Sequence, residues 1–253
     1  FVIEADEYDT AFFDKRSKFL HYRPDVLLIG NLEFDHADIF ASLGDIKKQF
    51  SHLLRSVPSN GIVVINSDEL NLRDVLAQGC WSKVVEFSCQ DESCEWFAQA
   101  VTEDASKFDV FQSGRLLGRV TWSLFGAHNM ANALGAIASC SQAGVNPLEA
   151  CRCLSDFELP KRRLERLNSQ GSIALFDDFA HHPTAIKSTL KSIQAAAPGK
   201  RVIAVIEPRS NTMKLGSQQD LLSKALVHCD IAVIFRRPDL SWDPATPVSY
   251  THL

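Results

Sequence analysis

Five short stretches hold most of the residues whose types and spacing could do chemistry. Glu4-Ala5-Asp6-Glu7-Tyr8-Asp9 sets four carboxylates within six residues. Their repulsion would be relieved by a divalent cation, and hard oxygen donors suit Mg²⁺; a solvated acidic turn is the plainer alternative. Asn31-Leu32-Glu33-Phe34-Asp35-His36 offers a second set of ligands that could face the same metal, although His is an unusual partner for Mg²⁺ and Asp35 could simply cap a helix. In Phe125-Gly126-Ala127-His128-Asn129-Met130-Ala131-Asn132, His128 and Asn132 are four apart and share a face of a first helical turn. With Asn129 they could read a heterocycle or a ribose, and the backbone N–H groups there could bind an anion; capping is the alternative. Lys161-Arg162-Arg163-Leu164-Glu165 and Asp177-Asp178-Phe179-Ala180-His181-His182-Pro183-Thr184 form the fourth cluster. Adjacent side chains diverge, so its paired His and Asp are poorly arranged to chelate one ion. Last, Glu207-Pro208-Arg209-Ser210-Asn211-Thr212-Met213-Lys214 mixes two cations with three neutral donors, a set suited to a carboxylate or phosphate.

These clusters need elements to hold them, and four of the stretches follow an apolar run or open a helix. Short apolar runs at 1–3, 26–29, 61–65 and 84–87 read as buried strands and alternate with segments of helical period, which predicts βαβ units and a largely parallel sheet. Ile39, Phe40, Leu43, Ile46, Phe50, Leu53, Leu54 and Val57 form one stripe, predicting a helix from just after His36 to the turn at Pro58-Ser59-Asn60-Gly61. Residues 95–124 alternate loosely between Gly and Asp turn points and read as a small antiparallel meander, followed by a helix over 128–143 whose alanines permit close packing on a sheet. Beyond a Pro-containing charged link near Pro160, strands at 172–176, 202–206 and 230–235 alternate with helices at 183–196 and 217–226. The expected fold is therefore α/β with two domains, 1–158 and 159–253. The second is Rossmann-like and short of a complete doubly wound sheet.

Composition narrows the classes. The 253 residues are 45% hydrophobic, enough for two cores. With 26 Lys plus Arg against 31 Asp plus Glu, the formal net charge is −5 and no long basic run exists, which argues against a nucleic-acid surface. Seven cysteines without a C-x-x-C pair fit neither a zinc ribbon nor a disulfide framework, and a reducing cytosol is the simpler expectation. No apolar run approaches the length of a membrane helix. The chain opens on Phe1, so an upstream part is expected. The stretch 238–253 shows no periodic pattern and reads as a possible non-native tail. The phosphate loop G-x-x-x-x-G-K-[ST] is absent from the sequence.

Taken in order, the acidic strand end, Asn-x-Glu-x-Asp-His, Gly-x-His-Asn-x-x-Asn, Lys-Arg-Arg-x-Glu and Asp-Asp-x-x-His-His-Pro-Thr resemble the Mur ligase family, from Phe1 to about Phe235. The resemblance implies a central ATPase domain with its phosphate loop upstream of Phe1, followed by part of a Rossmann-like C-terminal domain. By position it implies that Glu4 and His36 hold Mg²⁺, that His128, Asn129 and Asn132 meet the base and ribose of ATP, and that Arg163 and Asp178 reach ATP from the second domain. His182, Arg209 and Ser210 would lie towards the incoming peptide. The implied reaction joins the tripeptide L-alanyl-γ-D-glutamyl-meso-diaminopimelate to UDP-N-acetylmuramate through an acyl phosphate, with no protein nucleophile. A relative that adds L-alanine shares these motifs, and a non-catalytic binding fragment is the rival from another class. Where several relatives carry a carbamylated lysine this sequence has Phe50, and the register excludes Lys47 and Lys48.

Overall fold

The computed structural model describes residues 1–10, 14–167 and 172–245. Its larger unit is a six-stranded sheet in sequential order: β1 (Val26–Ile29), β2 (Ile62–Asn66), β3 (Lys83–Ser88), β4 (Trp96–Ala100), β5 (Lys107–Gln112) and β6 (Arg115–Thr121). The first four strands run parallel and the last three form an antiparallel meander, as the loosely alternating pattern predicts. Strand β2 is apolar almost throughout because both its faces are covered, the usual condition of a parallel strand. Val63 and Ile65 face α1 (Leu43–Ser56) and α2 (Leu70–Ala77), meeting Ile46, Leu53, Leu54, Leu72 and Val75. Val64 points the other way, into a core with Phe87, Trp96, Phe108, Leu134 and Ile137. That core is closed by α3 (Ala127–Gln142) and α4 (Pro147–Cys153). At Gly135 of α3 an added Cβ would lie 3.0 Å from both Leu28 and Phe87, so the missing side chain lets the helix sit directly on the sheet.

A short antiparallel ribbon of β7 (Glu165–Leu167) and β8 (Leu175–Asp177) leads into the second unit. There α5 (Pro183–Ala196), α6 (Asn211–Leu215) and α7 (Gln219–Leu226) accompany two parallel strands, β9 (Ile203–Ile206) and β10 (Ile231–Ile234). Ile186, Leu190, Ala204, Met213, Leu222, Ala225 and Leu226 form its core. Trp242 packs against that core and donates to Met213 O at 2.6 Å, so part of the expected tail is bound to the domain; residues 246–253 lie outside the described residues.

Four expectations need correction. Phe1–Ile3 is not a strand: Phe1 and Val2 are fully exposed, and a strand gains nothing without a neighbour to take its hydrogen bonds. The first helix begins at Leu43 rather than after His36, because Ser42 caps it, its Oγ accepting from Asp45 N at 3.3 Å, while Ile39 N and Phe40 N turn back onto His36 O. The strand expected at 172–176 is β8, paired antiparallel with β7 and outside the parallel β9–β10 pair. Helices α2, α4 and α6 were not predicted. They are five to eight residues long, too short for periodicity to stand out.

Candidate active site

The loop from Asn31 to Asp38 leaves the end of β1 and is held on two sides. On one side is the acidic segment: His36 Nε2 lies 3.0 Å from Glu7 Oε1, and the Tyr8 ring meets the imidazole edge-on at 4.2 Å. One donor atom each from Asp6, Glu7 and His36 falls within 4.8 Å of the others. Glu4 is exposed and outside this group. His36 has φ 53°, a left-handed conformation that costs a non-glycine residue about 1–3 kcal/mol and concentrates at functional sites. Asp35 offsets part of that cost, its Oδ1 accepting from His36 N at 2.7 Å.

Charge is tuned by these contacts. Burial alone would raise the Glu7 carboxyl, but the hydrogen bond with His36 and the charge on that ring bring it below its ordinary value. For His36, burial works towards the neutral form and is outweighed by Glu7, Asp35 and Asp6, which raise it. Asp35 is held far below the carboxylate range: burial opposes this, while His181, Thr212 and His36 N–H all favour the anion.

The second domain grips the other side of the same loop. His182, which precedes α5, brings Nε2 to 3.2 Å from Phe34 O, and its Nδ1 lies 3.6 Å from Glu33 Oε2. Thr184 Oγ1 also donates to Glu33. His181 Nε2 is 3.6 Å from Asp35 Oδ2, a contact that raises the His181 pKa. Thr212 Oγ1 donates to Asp35 Oδ1 at 2.7 Å, and Asn211 Nδ2 donates to Asp38 at 2.8 Å. Gln218 Nε2 donates to Phe34 O at 2.7 Å. The Asp-Asp-x-x-His-His-Pro-Thr segment therefore converges with Asn-x-Glu-x-Asp-His on one junction.

A cavity of about 400 Å³ opens where the domains meet, lined by Leu124, Phe125, Asn129, Leu164, Arg166 and Phe176 among others. Apolar walls with a few polar groups suit a flat heterocycle. Of the three residues expected to read a base or ribose, Asn129 lines it, with Nδ2 donating to Phe125 O. Asn132 is exposed on the helix. His128 turns its Nδ1 towards Ser188 Oγ of α5, 3.0 Å away, and burial lowers its pKa against the pull of Asp178. Asp178 ties the link to the second domain, accepting from Leu164 N and Ala180 N at 2.7 Å each. Arg163 is exposed, its guanidinium over the Phe179 ring at 5.9 Å. Arg209 is exposed and 3.9 Å from Glu207, while Ser210 caps α6 by accepting from Met213 N. Phe50 packs edge-on against Phe19 at 5.3 Å, and Lys47 reaches Asp74 on α2 at 2.6 Å.

Sequence reasoning assigned no role to Thr184, Ser188 or Gln218, and counted Thr212 only as one of three neutral donors for a carboxylate or phosphate. Thr184 and Thr212 sit inside stretches already marked as chemical, so neighbourhood was a usable signal. Gln218 carried none, because a glutamine at a helix start is ordinary until it is found buried.

This arrangement defines a two-domain α/β protein whose polar motifs meet at the seam. The Mur ligase middle domain family model matches residues 1–140, and the model described as Mur ligase, glutamate ligase domain matches residues 162–247. The chain belongs to the Mur ligase family. It is 48% identical over 97% of its length to the UDP-N-acetylmuramate–L-alanyl-γ-D-glutamyl-meso-2,6-diaminoheptandioate ligase of Haemophilus influenzae, covering 54% of that protein. The Escherichia coli protein of the same name is 47% identical over 97% of the chain, which covers 53% of it. Among solved structures, a murein peptide ligase from Psychrobacter arcticus is 42% identical, with TM-score 0.69, over 98% of this chain and 51% of that one. The chain thus spans about half the length of the curated relatives it matches.

Proposed function

We propose that the protein to which this chain belongs is an ATP-dependent ligase that forms an amide between the lactyl carboxylate of UDP-N-acetylmuramate and the tripeptide L-alanyl-γ-D-glutamyl-meso-diaminopimelate. The observation that supports this most is the near-half identity, over 97% of the chain, to ligases named for that reaction. ATP is the phosphoryl donor in this reading, its base in the seam cavity against Phe125, Asn129 and Phe176. Residues 1–158 act as the ATP- and metal-binding domain and 159–253 as the closing domain.

The donor set of Asp6, Glu7 and His36 fits a divalent cation, with two carboxylates supplying the hard oxygens that Mg²⁺ prefers. Family likeness favours Glu4 with His36, and geometry favours Glu7 with His36. Mg²⁺ bound there would neutralise charge on the phosphoryl group in transfer. Asp35 holds the His36 backbone, and His181 and Thr212 hold Asp35, so the second domain helps fix the turn that carries the ligand. His182, Arg209 and Ser210 are assigned to the peptide side, and Arg163 and Asp178 to closure over ATP. Transfer of the γ-phosphoryl group to the carboxylate gives an acyl phosphate. Attack by the tripeptide's α-amine on its carbonyl then expels phosphate, and positioning across the seam carries most of the catalysis.

Phosphate release by the complete gene product, supplied with ATP, Mg²⁺ and UDP-N-acetylmuramate, tests this reading. Release that depends on the tripeptide and not on L-alanine is expected. Release with L-alanine alone would move the activity to the other branch of the family, and no release with either would refute the ligase reading.

A further inference from the structure

A hydroxyl of the second domain brackets His36. Thr212 lies two residues beyond the Ser210 cap of α6 and is 3% exposed. Its Oγ1 donates to Asp35 Oδ1 at 2.7 Å and accepts from Ala37 N at 3.3 Å. Chemistry fixes both roles: a backbone N–H can only donate, an ionised carboxylate can only accept, and a hydroxyl has one proton to give and lone pairs to receive. The two residues it meets are the neighbours of His36, whose φ of 53° is left-handed. We propose that Thr212 is a positioning residue, a clamp that holds the His36 turn from the opposite domain and thereby sets the metal affinity of the Asp6, Glu7 and His36 group. This rests on the reading of that group as the metal site.

A left-handed residue other than glycine persists only where its surroundings over-determine it. The turn supplies part of that support itself. His36 N donates to Asp35 Oδ1 at 2.7 Å, and His36 O accepts from Ile39 N at 2.9 Å and Phe40 N at 3.0 Å. These bonds all lie within residues 35–40 and leave the Asp35 carboxylate and the Ala37 N–H to be fixed from outside. His181 faces the other carboxylate oxygen, Oδ2, at the longer distance of 3.6 Å. Thr212 reaches both sides of His36 with one atom. Its own place is rigid, since Asn211 beside it donates to Asp38 at 2.8 Å. On its other side Met213 is buried in the core of the second domain, and the Met213 carbonyl accepts from Trp242 Nε1 at 2.6 Å. When the domains part, the turn loses this support, and with it the hold on the imidazole that lies 3.0 Å from Glu7.

The test uses the complete protein without substrates. Mn²⁺ is titrated by electron paramagnetic resonance and counted at the site that Glu7→Gln removes, and deuterium exchange is followed by mass spectrometry in the peptide spanning residues 34–40. Thr212→Val keeps the shape of the side chain and loses both hydrogen bonds. It should weaken Mn²⁺ binding roughly tenfold, as loss of a partner behind a metal ligand commonly does. Exchange in residues 34–40 should speed roughly fivefold, the worth of one net hydrogen bond, while α7 exchanges as in the wild type. Thr212→Ser, which keeps the hydroxyl, should stay close to the wild type in both measurements. Should Thr212→Val loosen α7 as well, the smaller Thr212→Ala is read in its place. Wild-type Mn²⁺ affinity or wild-type exchange in the variant without the hydroxyl, or a Thr212→Ser protein as impaired as Thr212→Val, overturns the proposal. If the wild type binds no Mn²⁺ at this site, the reading of Asp6, Glu7 and His36 as a metal site fails, and the exchange still decides whether Thr212 clamps the turn.

Discussion

Glu4 and Glu7 lie three residues apart, yet only Glu7 has the surroundings of a ligand. Its carboxylate is half-buried, 3.0 Å from His36, and held below its ordinary pKa; Glu4 faces solvent. In the complete protein, Glu7→Gln should raise the Mg²⁺ concentration needed for half-maximal phosphate release about tenfold or more, against little change for Glu4→Gln. The reverse order would restore the assignment made from family likeness. His128 gives a pH dependence. Burial depresses its pKa from 6.5, so its ring stays neutral in the fold while the unfolded chain takes up a proton. That contribution to stability is whole above about pH 7 and is lost as pH falls through 6.5 towards the lower folded value. Urea midpoints measured at about pH 7.5 and about pH 5.5 should fall less for His128→Gln than for the wild type. Residue types made these positions legible in the sequence, since carboxylates and imidazoles cluster visibly. Which of two nearby glutamates meets the imidazole was not legible, because that depends on how a segment without regular structure turns.

At the scale of elements, Gly126 joins the meander to α3 at φ 102°, where no L side chain sits comfortably. An added Cβ would also collide with Ser192 Oγ on α5 and lie within 2.9 Å of the His128 ring. Gly126→Ala should therefore cost about 1–3 kcal/mol in backbone strain, plus a steric part. Ser192→Ala in the same chain should return only the steric cost owed to the Ser192 hydroxyl, as a double-mutant cycle of denaturation midpoints would show. Two unstabilised single variants and no coupling would mean that α5 does not rest on this turn. Strands β1 to β3, the meander, α3 and α5 were readable because each buries a long or continuous apolar surface. Phe1–Ile3 looked like those strands, but apolar residues make a strand only where a neighbour pairs with them. The onset of α1 was set by the Ser42 cap rather than by the start of the apolar stripe.

For the whole molecule, the two domains meet at the loop after β1, through contacts whose partners are about 150 to 180 positions apart, and again where α5 rests on the start of α3. No local pattern encodes such pairs, which is why the motifs were visible and their convergence was not. Among the described residues no helix is long and apolar enough to cross a membrane. The seam has meaning for function only if carboxylate, phosphoryl donor and amine meet there in sequence through an acyl phosphate. The most direct test is isotopic: UDP-N-acetylmuramate labelled with ¹⁸O in its lactyl carboxylate is supplied to the complete protein with ATP, Mg²⁺ and tripeptide, and the products are weighed by mass spectrometry. An acyl phosphate requires one carboxylate oxygen to leave with the inorganic phosphate, so one labelled oxygen should appear there and the other in the new amide. Label found in AMP, or unlabelled phosphate beside a completed amide, would contradict the account.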